Sequence, residues 1–205
     1  MTDPHAVDTP ERLAALYEPP HPRFSAKVTD RLEATSRAFI AASPFCILAT
    51  GGTRGPHASP RGDAPGFVLP LDDHTLALPD RRGNNRLDAL RDILENPRVA
   101  LLFLIPGVGE TLRVHGTARI TADPALRARL TVQDRAPTTV LLVAVREVYA
   151  HCAKAVLRSA LWDGRERPPG VPTNGEMIAA HTAGGAIDPG RYEAEYQARI
   201  RAQMY

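Results

Sequence analysis

Val99-Ala100-Leu101-Leu102-Phe103-Leu104-Ile105, the loop Pro106-Gly107-Val108-Gly109 and the long alternating run from Thr111 to Thr121 decide the fold class. Both flanking segments read as β-strands, because branched and aromatic side chains suit a pleated, half-buried surface. Upstream, Phe45-Cys46-Ile47-Leu48-Ala49-Thr50 lies between Pro44 and Gly51-Gly52, the pattern of a buried strand followed by a tight turn. A further strand is expected over Pro56 to Arg61. Phe67-Val68-Leu69-Pro70 and Thr75-Leu76-Ala77-Leu78-Pro79 flank Leu71-Asp72-Asp73-His74, whose paired aspartates suit a hairpin turn. Thr139 to Val148 is one more apolar, β-branched run.

One helix interrupts this series. Leu87, Leu90, Ile93 and Leu94 recur at helical spacing between Asn84 and Asn96, with an asparagine available as N-cap and Asn96-Pro97 as the stop. Shorter helices are expected from Thr29 to about Ala42, from Asp123, over His151 to Trp162, and over Tyr192 to Met204. Six or seven short strands around one strong helix suggest an antiparallel barrel, mainly β with added helices, not a doubly wound sheet.

The 205 residues, 43% hydrophobic, suffice for one sizeable core but are tight for two enzyme domains. The expected organisation is an N-terminal arm over 1–28, a main domain over 29–165, and a helical C-terminal extension over 166–205. Pro19-Pro20-His21-Pro22 reads as part of the arm, and Arg165-Glu166-Arg167-Pro168-Pro169-Gly170-Val171-Pro172 reads as a loop or linker. A net charge of +2 argues against nucleic acid or an anionic membrane as partner. Cys46 and Cys152 show no metal or disulfide spacing, and no stretch approaches the roughly 20 apolar residues of a membrane span. A reducing, cytoplasmic setting is therefore expected, without a metal site.

Chemistry concentrates in Asp80-Arg81-Arg82-Gly83-Asn84-Asn85-Arg86, which runs from a strand into the strong helix. Helix N-termini expose unpaired N–H donors, and guanidinium forks add bidentate contacts to phosphate oxygens. Gly83 would let the backbone turn closely about a ligand. The plain alternative is a solvated loop whose asparagine caps the helix. Ser59-Pro60-Arg61-Gly62-Asp63 places Arg61 at a strand end beside the flexible Gly62, where it could reach a phosphate or pair with Asp63 at the surface. On a helix, His151, Lys154 and Arg158 would share one face, a cationic set that serves either an anion or solvent.

These blocks, with Leu78 to Arg86, Glu95-Asn96-Pro97-Arg98-Val99, Glu110 to Gly116 and His151 to Trp162, resemble the FMN-binding split-barrel proteins related to pyridoxamine 5′-phosphate oxidase. The resemblance spans roughly Phe39 to Trp162. It implies a six-stranded antiparallel split barrel and a homodimer with FMN at the subunit interface. It puts Arg61 and Gly62, then Asp80, Arg81, Arg82, Asn84, Asn85 and Arg86, beside the FMN phosphate. Lys154, Arg158, Ser159 and Trp162 would approach the flavin from later in the chain or from the partner. It implies an FMN-dependent oxidoreductase acting on a small-molecule substrate or electron donor. A deazaflavin or haem in the same fold, or a non-catalytic flavin-binding or sensing protein, are the alternatives. The oxidase's C-terminal arginine and histidine pattern is missing from Arg199-Ile200-Arg201-Ala202-Gln203-Met204-Tyr205, which argues against pyridoxamine phosphate as substrate.

Overall fold

A computed structural model of the chain describes residues 3, 5–22, 26–164, 166–182, 187–202 and 204. Arg165 of the linker, and parts of the arm and of the C-terminal end, lie outside the described residues. Seven antiparallel strands form a single sheet: β1 Phe45–Gly52, β2 Gly55–Gly62, β3 Leu69–Pro70, β4 Thr75–Asp80, β5 Arg98–Leu104, β6 Thr111–Thr121 and β7 Thr139–His151. Their spatial order is β2-β1-β5-β6-β7-β4-β3. The seventh strand beyond the expected six is β3, two residues that pair Leu69 with Ala77 and Pro70 with Leu76.

Alternation sorts each strand into a core face and an outer face. In β1, Cys46, Leu48 and Thr50 are buried while their neighbours are less so. Leu48, Leu76, Leu78, Leu101, Phe103, Val114, Leu141 and Val143 join one buried cluster with Ile40 and Ile93 from the helices. The sheet is rolled. Five strand spacings separate β2 from β4, about 24 Å if the sheet were flat, yet Arg61 Nη1 of β2 lies 2.6 Å from Asp80 Oδ1 of β4. Arg81 Nε, one residue beyond β4, lies 2.6 Å from Asp63 Oδ2, one residue beyond β2. The two strands share no backbone ladder, so this crossed pair of ion pairs spans an open seam in the barrel wall.

The helices are α1 Pro10–Ala14, α2 Ala34–Ala42, α3 Asp88–Glu95, α4 Pro124–Arg129, α5 Lys154–Ser159, α6 Asn174–His181 and α7 Pro189–Ala202. Several helices differ from the sequence reading. The arm holds a short helix, α1, because the Thr9 side chain accepts from Arg12 N and Pro10 suits a first helical turn. The helix expected from Thr29 starts at Ala34, since the Thr29 N–H and carbonyl are both engaged by Val148 of β7. The strong helix starts at Asp88, not near Asn84: Asn84 Oδ1 accepts from Arg86 N instead, and Leu87 takes a left-handed φ of 58°. The run expected as helix from His151 is strand up to that residue, because β7 continues pairing until His151 meets Thr111.

Thr173 caps α6 in a reciprocal box with Glu176, a Thr-x-x-Glu signature present in the sequence and not read as a helix start. The Asp123 cap of α4 matches expectation, and the terminal helix α7 is present but starts at Pro189, ahead of the expected Tyr192. Among the described residues no helix is long and apolar enough to cross a membrane.

Candidate functional site

β2 carries His57, Ser59 and Arg61 on its half-buried face and Pro56, Ala58, Pro60 and Gly62 on its exposed face. That period of two aims three polar side chains at the space between the seam and the start of α3. The space is a cavity of about 800 Å³, within the range of small-molecule sites. Asp80, the loop Arg81 to Leu87, the first turn of α3 and Thr138-Thr139 at the start of β7 complete its wall. An adjoining cavity of about 480 Å³ shares Arg81, Arg82, Asn85 and Thr138 and adds Arg135, with no carboxylate in its lining.

His57 Nδ1, Ser59 Oγ, Arg61 Nε and Thr139 Oγ1 are buried side-chain atoms without a hydrogen-bond partner among the described residues. All four belong to residues that line the larger cavity. Leaving such a group unpaired costs about 1–3 kcal/mol each unless a ligand or water supplies the partner. A polar ligand with several acceptors and donors therefore fits this wall.

The arginines differ in freedom. Arg61 is held by Asp80, and Arg81 by Asp63 and by the Leu130 carbonyl at 2.7 Å. Arg86 is largely exposed and pairs with Asp88 at 2.9 Å. Arg82, exposed at the cavity mouth, has no ion pair among the described residues. No side chain caps α3, so its first-turn N–H groups remain available beside the loop. Asp88 sits in that same turn with its pKa lowered, chiefly by the hydrogen bond from Arg54 and then by the one from Arg86.

Of the residues proposed from the sequence, Arg61, Asp80, Arg81, Arg82, Asn84, Asn85 and Arg86 converge on the cavity. Gly62 lies on the exposed face of β2 and does not line it. The surface pair Arg61–Asp63 does not form, because each residue finds a partner across the seam. Gly83 is not in the left-handed region, and a Cβ there would meet nothing within 4 Å, so the chain itself places no demand for glycine.

Lys154, Arg158, Ser159 and Trp162 lie elsewhere, past the far end of β7 from Thr139. Twelve residue steps of strand, roughly 40 Å of chain, separate Thr139 from His151. Trp162 Nε1 donates to the Val108 carbonyl at 2.7 Å. The shared cationic face fails because His151 is in β7, not on α5. Its pKa is lowered by partial burial and by Arg113 and Lys27.

The sequence reading missed His57, Thr138 and Thr139. Two-residue alternation from Arg61 back through Ser59 would have reached His57, whereas Thr138 and Thr139 join the site only through the β4–β7 pairing of Asp80 with Thr139.

A family profile described as pyridoxamine 5′-phosphate oxidase matches residues 32–152, more than half of the chain. No curated protein matches the sequence. Among solved structures, HupZ of Group A Streptococcus is 17% identical, with 57% of this chain and 90% of that chain covered and a TM-score of 0.47. General Stress Protein 26 of Bacillus anthracis is 20% identical over 55% of this chain and 88% of its own, with a TM-score of 0.42. An FMN-binding protein of Syntrophomonas wolfei is 12% identical over 56% and 82%, with a TM-score of 0.42.

Proposed function

Because the chain belongs to the pyridoxamine 5′-phosphate oxidase family, we propose that it is a flavoprotein that holds FMN in the seam cavity and acts as an oxidoreductase. The observation that carries the reading is the coincidence of four unpartnered buried polar atoms with a basic loop and an uncapped helix start on one cavity wall. Bound FMN supplies reversible two-electron chemistry, and the protein supplies binding, orientation and charge.

In this reading Arg82, Asn85 and the first-turn N–H groups of α3 take the phosphate, whose negative charge the helix dipole also favours. Arg61 keeps Asp80 as a partner through Nη1 and offers its unpaired Nε to the ligand. The hydroxyls of Ser59 and Thr139 then donate to or accept from the chain beyond the phosphate. Asp88 and Asp80 stay neutralised by Arg86, Arg54 and Arg61, which keeps carboxylate repulsion away from the anion.

The subunit arrangement is part of the proposal. Lys154, Arg158, Ser159 and Trp162 follow β7 at its end opposite Thr139, so a role for them at a flavin calls for a second copy of the chain across the cavity. Purified protein titrated with FMN tests the reading: quenched flavin fluorescence and a retained yellow spectrum after desalting support it, and free FMN lost entirely on desalting sinks it.

A further inference from the structure

At the other end of the same wall stands His57, which the phosphate reading leaves unused, and it faces Asp92, a residue outside the cavity lining. His57 stands four residues before Arg61 on the same face of β2, roughly 13 Å along the strand. Asp92 of α3 is 3% exposed, and its Oδ2 accepts from the Thr50 hydroxyl at 2.8 Å. The same oxygen lies 3.9 Å from His57 Nδ1, which is buried without a hydrogen-bond partner. Arg54 approaches the other carboxylate oxygen at 3.6 Å but is more than half exposed.

We propose that His57, oriented by Asp92, is the residue that takes up a proton when a flavin in this cavity is reduced; this rests on the FMN reading above. A buried carboxylate that meets one hydroxyl on Oδ2 and one solvent-exposed guanidinium on Oδ1 still has room for a further donor on Oδ2, and an imidazolium at His57 supplies it. A shift of about 1 Å brings Nδ1–H within donating distance of Asp92, and ligand-free sites commonly tighten in this way. That contact fixes the tautomer and leaves Nε2 as the nitrogen that can accept a proton.

The charged groups on the elements packed about His57 are Asp88, Arg91, Asp92 and Glu95 of α3, Arg54 of the β1–β2 turn, and Arg61 of its own strand, with Arg91 exposed. Asp88 is occupied by Arg54 and Arg86, and Glu95 accepts from Thr53 N. Asp92 is the carboxylate left facing the imidazole.

A two-electron donor of the reduced-nicotinamide class gives up a C–H bond, both electrons of that bond and its hydrogen pass to the flavin ring, and the donor leaves oxidised. The ring is left with one negative charge. One proton from solvent then binds Nε2 of His57, so that two protons are taken up per two electrons, one on the ring and one on the protein.

The test is the midpoint potential of FMN-loaded protein against pH, in wild type, His57→Gln and Asp92→Asn, with the His57 imidazole followed by NMR in the oxidised and reduced states. Between about pH 6 and 8, where histidine titrates, the slope in wild type should report two protons per two electrons and that in His57→Gln one. In Asp92→Asn the two-proton region should move to lower pH, and in wild type the His57 resonance should change to the imidazolium form on reduction. A two-proton slope surviving in His57→Gln, or a one-proton slope in wild type, overturns the proposal while leaving FMN binding in place. Failure of wild type to load FMN overturns the flavin reading, and this one with it, at a step seen before any potential is measured.

Discussion

Arg61 and Asp63 are two residues apart, yet neither uses the other: one reaches Asp80 and the second Arg81. A sequence shows that opposite charges are near in the chain but not that a rolled sheet will bring better partners from 18 or 19 residues away. The arginines of the loop were legible because three in six residues exceed what a turn requires, whereas His57 shows only through the two-residue alternation of β2, a signal that needs Arg61's face to be known first. The cysteines give a residue-scale prediction. Cys46 is fully buried on β1 and burial pushes its thiol up to about 12, while Cys152 is exposed. At pH 8 a thiol-specific reagent should label one cysteine rapidly in the native protein and the second only after denaturation, because the thiolate is the nucleophile. Rapid labelling of both in the native state would contradict the placement of β1.

Elements were most legible where one rule acted alone. Short apolar, β-branched runs gave β1, β4, β5 and β7, alternation gave β6, and helical spacing gave α3. Boundaries failed where two rules competed, as at Asn84, whose side chain satisfies a turn within the loop instead of capping α3. Asn85, Arg86 and Leu87 thereby stay in the loop between strand and helix, where they line the cavity. The β6–β7 pairing carries a register shift between His115 and Gly116, where a Cβ on Gly116 would lie 2.1 Å from the Ala144 carbonyl oxygen. Gly116→Ala should therefore destabilise by about 1–3 kcal/mol, as other overpacked sites do. Gly51→Ala, on β1 with open space around the new methyl, serves as control and should stay within about 0.5 kcal/mol of wild type. Chemical denaturation of the two variants checks this, and equal stabilities would refute the close β6–β7 approach.

At the scale of the molecule, the seam gives the barrel both a closure and a cavity. The strands β2 and β4 meet through side chains, not through a backbone ladder, and the gap so left becomes the cavity. Asp63 is the most buried member of the crossed pairs, with a side chain 1% exposed. Asp63→Asn leaves Arg81 without its carboxylate and should cost about 3 kcal/mol, as loss of one partner in a buried pair does. For a chain of this size that lowers Tm by roughly 6–12 °C; an unchanged Tm in a thermal melt would mean that the seam is not held by this pair. The antiparallel, mainly β architecture was readable from strand count and turns, but the seam was not, because only the order β2-β1-β5-β6-β7-β4-β3 reveals which strands end up facing each other.

The central claim is that the wall formed by β2, the basic loop and the start of α3 binds a flavin by its phosphate. It is tested most directly by parallel titrations of FMN and riboflavin into wild type and Arg82→Ala, since Arg82 has no ion pair among the described residues to lose. Removing one charge-assisted contact of about 1.5–3 kcal/mol should weaken FMN roughly 10- to 100-fold and leave riboflavin, which lacks the phosphate, within about twofold of wild type. Equal affinity of wild type for FMN and riboflavin, with no selective loss in Arg82→Ala, would contradict it.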